Sequence, residues 1–206
     1  MNKCKSLRSW LGYLSKQNQV SVIDKKVSLD YEIAAIAKKF DGIKATYFSN
    51  VAGYDIPVVA GTATTRKQFA DALDIEVHEL NKKFLAALDE PTPCIEVSSD
   101  QAPVHDNVIT GDDIDLLNLF PIPVHHEKDS GNYITAGLSI AKDPVTDNQN
   151  VSIHRLQVSG KNKLGALILP RHLYSFYKSS EEKGEPLEIA IVIGVDPVTV
   201  LASQAI

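Results

Sequence analysis

Cysteine, long apolar runs and concentrated positive charge are all scarce in this sequence, and each shortage removes a class of protein. The only two cysteines, Cys4 and Cys94, are far apart and lack metal-ligand neighbours, which excludes a disulfide scaffold and fits a reducing compartment. The longest apolar stretch, near Ile189 to Val195, is well short of the roughly 18 residues that a bilayer-spanning helix needs, and no basic start leads into an apolar leader. The cytoplasm is therefore the expected compartment, with no membrane partner. Lysine and arginine total 21 against 26 acidic residues, a net charge of -5. With no basic run, nucleic acid is excluded as the main partner, because a phosphate backbone needs a concentrated cationic face. Repeats and low-complexity tracts are absent as well.

What is present is an ordinary globular composition, 44% hydrophobic and 23% charged over 206 residues, long enough to bury on the order of 70% of the surface its unfolded chain exposes. The first part reads as alternating helices and strands. Leu7, Trp10, Leu11 and Leu14 fall at helical spacing behind Ser6, a good N-cap, so Trp10 is expected in a core. QVSVIDKKV alternates as a strand, Asp30 is placed to cap a helix running through Ile33 and Ile36 to Phe40, and two strands flank an AGYD turn. A helical region opens at Thr64 or Thr65 and breaks near Asp74 before continuing to Leu88.

From Pro91 the texture changes. Prolines at 91, 93, 103, 121 and 123 argue against a long helix, and short strand-like runs dominate from His105 onward. The expected fold class is α+β: a small N-terminal α/β domain over residues 1–100, then a β-rich barrel or sandwich over 101–206. His125 and His126, followed by Glu127 and Asp129, suggest a metal cluster, but neighbours in a strand point to opposite faces, so a loop role is favoured. GNYITAGLSIA at 131–141 reads as one strand with Tyr133, Thr135, Gly137 and Ser139 on one small, polar face. LYSFYKSSEEKGEP reads as a helix stopped by Gly184 and Pro186, EIAIVIGVDP as a continuous apolar strand, and PVTVLASQAI as the start of a helix.

The stretch from Asn150 to Tyr174 carries the chemistry. Alternation over Val151 to Leu156, the turn SGKNK and the apolar run LGALIL predict a hairpin that brings Asn150 near His172, with Arg155 and Arg171 at the same end. An amide oxygen, an imidazole and two guanidinium groups suit a phosphate held with a divalent cation. A histidine after Pro-Arg also serves as an ordinary surface or core residue, so spacing alone leaves this open.

Four separated segments, QNVSIHRLQV with LILPRH, FPIPVHHEKDSGNYITAG, and GEPLEIAIVIGVDPVTVLASQA, together resemble the UbiD family of prenylated-flavin-dependent decarboxylases, and KCKSLRSWLGYL resembles its hydroxyarylic acid (vanillate or 4-hydroxybenzoate) branch. The resemblance runs in order along the chain. It implies a split β-barrel, incomplete here, that holds prenylated FMN through Mn2+ with a monovalent cation such as K+. The implied metal ligands are Asn150 and His172; the implied cofactor contacts are Ile153, His154, Arg155, Leu167, Ile168, Leu169, Arg171 and His172. Arg155 matches the arginine of the family's Glu-Arg-Glu catalytic network, whose glutamates, like a third metal ligand, have no counterpart before Ile206. The resemblance further implies reversible nonoxidative decarboxylation of aromatic acids, a separate flavin prenyltransferase as cofactor supplier, and homo-oligomers of the full-length protein. A noncatalytic flavin-phosphate-binding or assembly module is the alternative, and a plain structural α/β protein a third reading.

Overall fold

The computed structural model describes residues 4–205; Lys3, at the head of the KCKSLRSWLGYL segment, and Ile206 lie outside the described residues. The chain begins with helix α1 (Leu7–Lys16), whose N-cap Ser6 forms a capping box with Ser9. Trp10 is fully buried, donates its indole N–H to the Thr62 carbonyl over 2.8 Å and stacks on Tyr13. Strands β1 (Val20–Ile23), β2 (Ala45–Phe48) and β3 (Val58–Ala60) form a sheet in that order, β1 and β2 parallel, β2 and β3 antiparallel. Two apolar clusters cover this sheet, one around Trp10, Leu14, Ala45 and Ala72, the other around Val27, Ile33, Phe48 and Val51.

Helix α2 (Glu32–Phe40) starts differently from the sequence expectation. Its N-cap is Tyr31 in the left-handed region (φ 68°), not Asp30. The cause is a tether, because Tyr31 N–H donates to Val124 O and Val124 N–H to Leu29 O, so a parallel bridge with the second half fixes the entry and the caps are displaced. Helix α3 (Arg66–Leu73) is capped by Thr65 with Gln68 and ends at Asp74 in the left-handed region, after which α4 (Leu80–Asp89) follows a single 3-10 turn.

Between residues 90 and 115 the expected strand-like runs do not pair. The segment holds only 3-10 turns, and Ile95 (89% exposed) and Val104 (80%) face solvent, since no described strand lies beside them to accept a ladder. A short helix α5 (Leu116–Leu119) leads to six strands: β4 (Tyr133–Ile134), β5 (Leu138–Lys142), β6 (Gln149–Ile153), β7 (Leu156–Gly160), β8 (Lys163–Ala166) and β9 (Ile189–Val192). They make two antiparallel sheets, β4-β7-β8 and β6-β5-β9, neither of which closes on itself. The chain passes directly from one sheet to the other at 135–137 and at 154–155, and returns a third time through the longer segment 167–188 between β8 and β9.

Both direct crossings correct the sequence reading. Residues 131–141 are two strands rather than one, and the true hairpin is β7 with β8, beginning at Leu156 opposite Ala166. Asn150 belongs to the other sheet, paired with Ala141 of β5. Crowding at Gly137 explains the first break: a Cβ there would stand 3.0 Å from Ile191 Cγ2 and 3.2 Å from Ile134 Cγ2, one from each sheet. A strand that changes sheets at such a corner needs the smallest residue.

Helix α6 (His172–Lys183) ends at Gly184, as read from the sequence, and packs Leu173 and Phe176 against Ala141 with Ile168 and Leu187 around them. Helix α7 (Pro197–Ala202) is capped by Asp196, whose Oδ1 accepts from Val198 and Thr199 N–H. It returns onto the first half: Val198 packs on the Trp10 cluster and Cys4 Sγ donates to Asp196 Oδ1. No helix among the described residues is long and apolar enough to cross a membrane.

Candidate active site

A cavity of about 710 Å3 opens where β6, the crossing at 154–155, the segment after β8, the first turn of α6 and the end of α7 meet. Its size is that of a site for a cofactor or a small ligand. Side chains on β6 alternate, so Asn150 and Ser152 share one face and Val151 and Ile153 the other. Asn150 Oδ1 lies 3.2 Å from His172 Nδ1, the first residue of α6. Continuing the β7 and β8 register outward would also place residue 150 opposite 172, but β6 and α6 now hold the pair, anchored through Ala141, Leu173 and Phe176.

The two donor atoms have the spacing of neighbouring ligands on one ion: adjacent corners of an octahedron with bonds of about 2.1 Å are about 3 Å apart. Amide oxygen and neutral imidazole are a mixed hard and borderline pair suited to Mn2+-like ions. No three His, Cys, Asp or Glu side chains converge as a metal cluster among the described residues, and none of the cavity-lining residues is acidic. Two arginines add positive charge, Arg155 at the sheet crossing and Arg171 at the N-cap of α6, where its side chain makes no capping bond. Arg171, His172 and Leu173 all line the cavity, so the first turn of α6, with N–H groups that lack intrahelical partners, opens onto it.

Opposite this polar end stands an apolar wall. Ile153, Leu167 and Leu169 line the cavity and are 45%, 68% and 59% exposed, a degree of solvent contact that leaves their side chains available to a flat apolar group. His154 reaches the same space, its Nε2 3.1 Å from Ser152 Oγ. Of the residues that the family resemblance implies as ligands or cofactor contacts, Ile168 alone does not line the cavity; it packs against the Ala141, Leu173 and Phe176 cluster because it alternates away from Leu167 and Leu169. His125 and His126 do not share a site: His126 Nδ1 and its backbone N–H are engaged in a turn with Lys128 and Asp129, while His125 Nε2 lies 3.4 Å from Thr135 Oγ1. Sequence reasoning missed Ser203, Gln204 and Ala205, which line the cavity just beyond α7. The Asp-Pro start of that helix was a usable signal for its position, but nothing local showed which way its far end points.

Comparison with known proteins identifies the family. Residues 11–88 match the 3-octaprenyl-4-hydroxybenzoate carboxy-lyase N-terminal domain, and residues 95–206 the Rift-related domain of the same carboxy-lyase. The chain is 40% identical over 182 residues to the anhydromevalonate phosphate decarboxylase of Methanothermobacter thermautotrophicus, covering 88% of this chain and 41% of that protein. It is 32% identical over 209 residues to the phenolic acid decarboxylase of Escherichia coli O157:H7, covering 95% and 44%. Among solved structures, an evolved dimeric form of the UbiD-class enzyme HmfF from Pelotomaculum thermopropionicum in complex with prFMN superposes with a TM-score of 0.94 at 49% identity, covering 97% of this chain and 46% of that one. The chain thus spans less than half the length of these relatives. Matched by both domain models and by relatives along nearly its whole length, the chain belongs to the UbiD family of decarboxylases.

Proposed function

We propose that this chain supplies the phosphate-anchoring half of a prenylated-FMN decarboxylase site, in a protein that reversibly decarboxylates aromatic acids without oxidation. The observation that carries the reading is the Asn150 and His172 pair at 3.2 Å on the rim of a cavity that also presents Arg155 and Arg171. Asn150 Oδ1 and His172 Nδ1 would hold Mn2+, which in turn neutralises a phosphate, while Arg171 and the first turn of α6 add donors to the same anion. Ile153, Leu167 and Leu169 would lie along the flavin. The modified flavin, when bound, serves as the electron sink for the carbanion left by departing carbon dioxide. Arg155, always charged, orients the substrate carboxylate and cannot itself deliver a proton. Since no carboxylate lines the cavity, binding and turnover separate, and the chain alone binds cofactor with weak or absent decarboxylation. A flavin prenyltransferase is the implied source of the cofactor, and homo-oligomers are the expected assembly.

The test is a fluorescence titration of the purified chain with FMN, with and without Mn2+. Binding that strengthens with Mn2+ and weakens at least roughly tenfold in Asn150→Ala supports the anchoring role; metal-independent binding, or none, sinks it. Carbon dioxide release from 4-hydroxybenzoate by the isolated, cofactor-loaded chain would defeat the separation of binding from turnover. A second substrate reading is favoured by the 40% identity to a protein named for anhydromevalonate phosphate, namely a phosphorylated, nonaromatic acid. Competition of the two acid types against bound FMN-loaded chain separates these readings.

A further inference from the structure

Helix α4 is held to the body along one edge. Leu80 is its only buried residue, Asn81 Oδ1 accepts from Arg66 Nη2 of α3 over 3.1 Å, and Phe84, one turn on from Leu80, is half-buried. The opposite face carries Lys82, Leu85, Ala86 and Asp89 at i, i+3, i+4 and i+7, all exposed, with Leu85 at 59%. The order of charge along this helix runs against its own dipole. Lys82 and Lys83 stand near the N-terminal end and Asp89 and Glu90 at the C-terminal end, while the first turn has no acidic residue and the last no basic one. The N-cap, Glu79, turns its carboxylate away to accept from Glu76 N–H. A helix dipole favours anions at its N-terminus and cations at its C-terminus, so within one copy these charges oppose the helix that carries them.

Two such helices laid antiparallel remove the conflict. A two-fold axis passing between Leu85 and Ala86 sets Lys82 of each copy opposite Asp89 of the other, and brings the acidic end of each helix to the N-terminal end of its neighbour. Each Leu85 then lies beside the Ala86 of the other copy, whose small side chain lets the helix axes approach closely. Lys83 and Glu90, also seven apart, repeat the same order one position round the helix. We propose that α4 is a self-association face on which a second copy of this chain docks antiparallel, with Lys82 to Asp89 pairs flanking a contact of Leu85 with Ala86. One short helix from each copy offers less area than a stable dimer needs, so the association is weak and sensitive to salt. The inference is independent of the cofactor reading and names a surface for the expected homo-oligomer.

Sedimentation velocity of the purified chain from about 10 μM to about 1 mM, the range of weak complexes, is the test. A reversible monomer–dimer equilibrium that weakens severalfold from low to high salt is expected. Leu85→Glu should abolish it, and Lys82→Glu and Asp89→Lys should each weaken it about tenfold or more, because each turns two attractions into two repulsions. Two rescues are specific to antiparallel self-pairing. The double variant Lys82→Glu/Asp89→Lys restores both pairs with the signs exchanged, and an equimolar mixture of the two single variants restores them between unlike copies. Circular dichroism establishes that each variant is folded before it is scored; should Leu85→Glu unfold, the mixture decides. A mixture of folded single variants that fails to associate overturns the proposal. So does a dimer that survives Leu85→Glu, which places the contact on another face, and so does a chain that stays monomeric throughout, which gives this face to a different polypeptide.

Discussion

Gly137 stands at a crowded corner, since a Cβ there would lie 3.0 and 3.2 Å from the Cγ2 methyls of Ile191 and Ile134, which belong to two different sheets. Gly137→Ala is therefore expected to destabilise the fold by about 1–3 kcal/mol, the usual cost of overpacking a filled site, read as a lower urea midpoint at unchanged slope. Trp10 poses the opposite case. Fully buried and with its indole N–H satisfied by Thr62 O, it should cost about 3–5 kcal/mol on truncation to alanine, checked in the same titration. At this scale the sequence was informative where chemistry is local. Helical spacing placed Trp10 in the core, and the expected approach of Asn150 to His172 is found at 3.2 Å. It was silent where a side chain's neighbour comes from a distant strand, as with the Tyr133 ring 6.0 Å from the Arg155 guanidinium, because a cross-strand diagonal depends on a register that local patterning does not state.

Single elements show why boundaries were legible and pairings were not. Capping residues act over three or four positions, so Ser6, the choice of Thr64 or Thr65, the break near Asp74 and the stop at Gly184 could be read locally; Ser6 and Thr65 open their helices, and Asp74 and Gly184 close theirs. Asp30 misled because the competing tether through Val124 comes from more than ninety residues away. For α7 the cap is strong: Asp196 accepts from two backbone N–H groups and from the Thr199 hydroxyl. Asp196→Ala should cost about 1 kcal/mol, and because the end of α7 lines the cavity it should also weaken FMN binding. The loop between β5 and β6 is expected to respond to acid. The backbone N–H of Val145, then the Thr146 hydroxyl, hold the Asp143 carboxyl below the ordinary aspartate range. A depressed folded-state value stabilises above the unfolded value and is lost as pH falls through the depressed one. The stability difference between the protein and Asp143→Asn should thus be present at neutral pH and vanish in strong acid, as followed by urea denaturation at each pH. On α6, Glu181 is lowered by Lys178 and then Tyr177, with the same sign.

For the molecule as a whole, α7 matters more than its six residues suggest, because it follows the last strand of one sheet and packs on the Trp10 cluster of the first half. The Val124 bridge adds a second connection. Trp10 fluorescence, which reports the first half, and far-ultraviolet circular dichroism, which reports both, are expected to give superimposable urea transitions; separate midpoints would show that the halves unfold independently. The α+β class and the order of helices were legible from periodicity, whereas the double passage between sheets was not, since residues 131–141 and 150–156 each alternate well enough to pass for one straight strand.

That double passage divides the cavity mechanically. Asn150 and His172 both ride on the block formed by β5, β6 and α6, while Arg155 and Tyr133 belong to the crossing at 154–155 and the sheet beyond it. A small rotation of one sheet against the other leaves the first pair at its 3.2 Å separation and changes the span from that pair to the guanidinium. On the proposed reading, one end of the cavity would act as a fixed vice and the other as an adjustable jaw, altering the grip on a substrate without loosening the hold on a cofactor's phosphate.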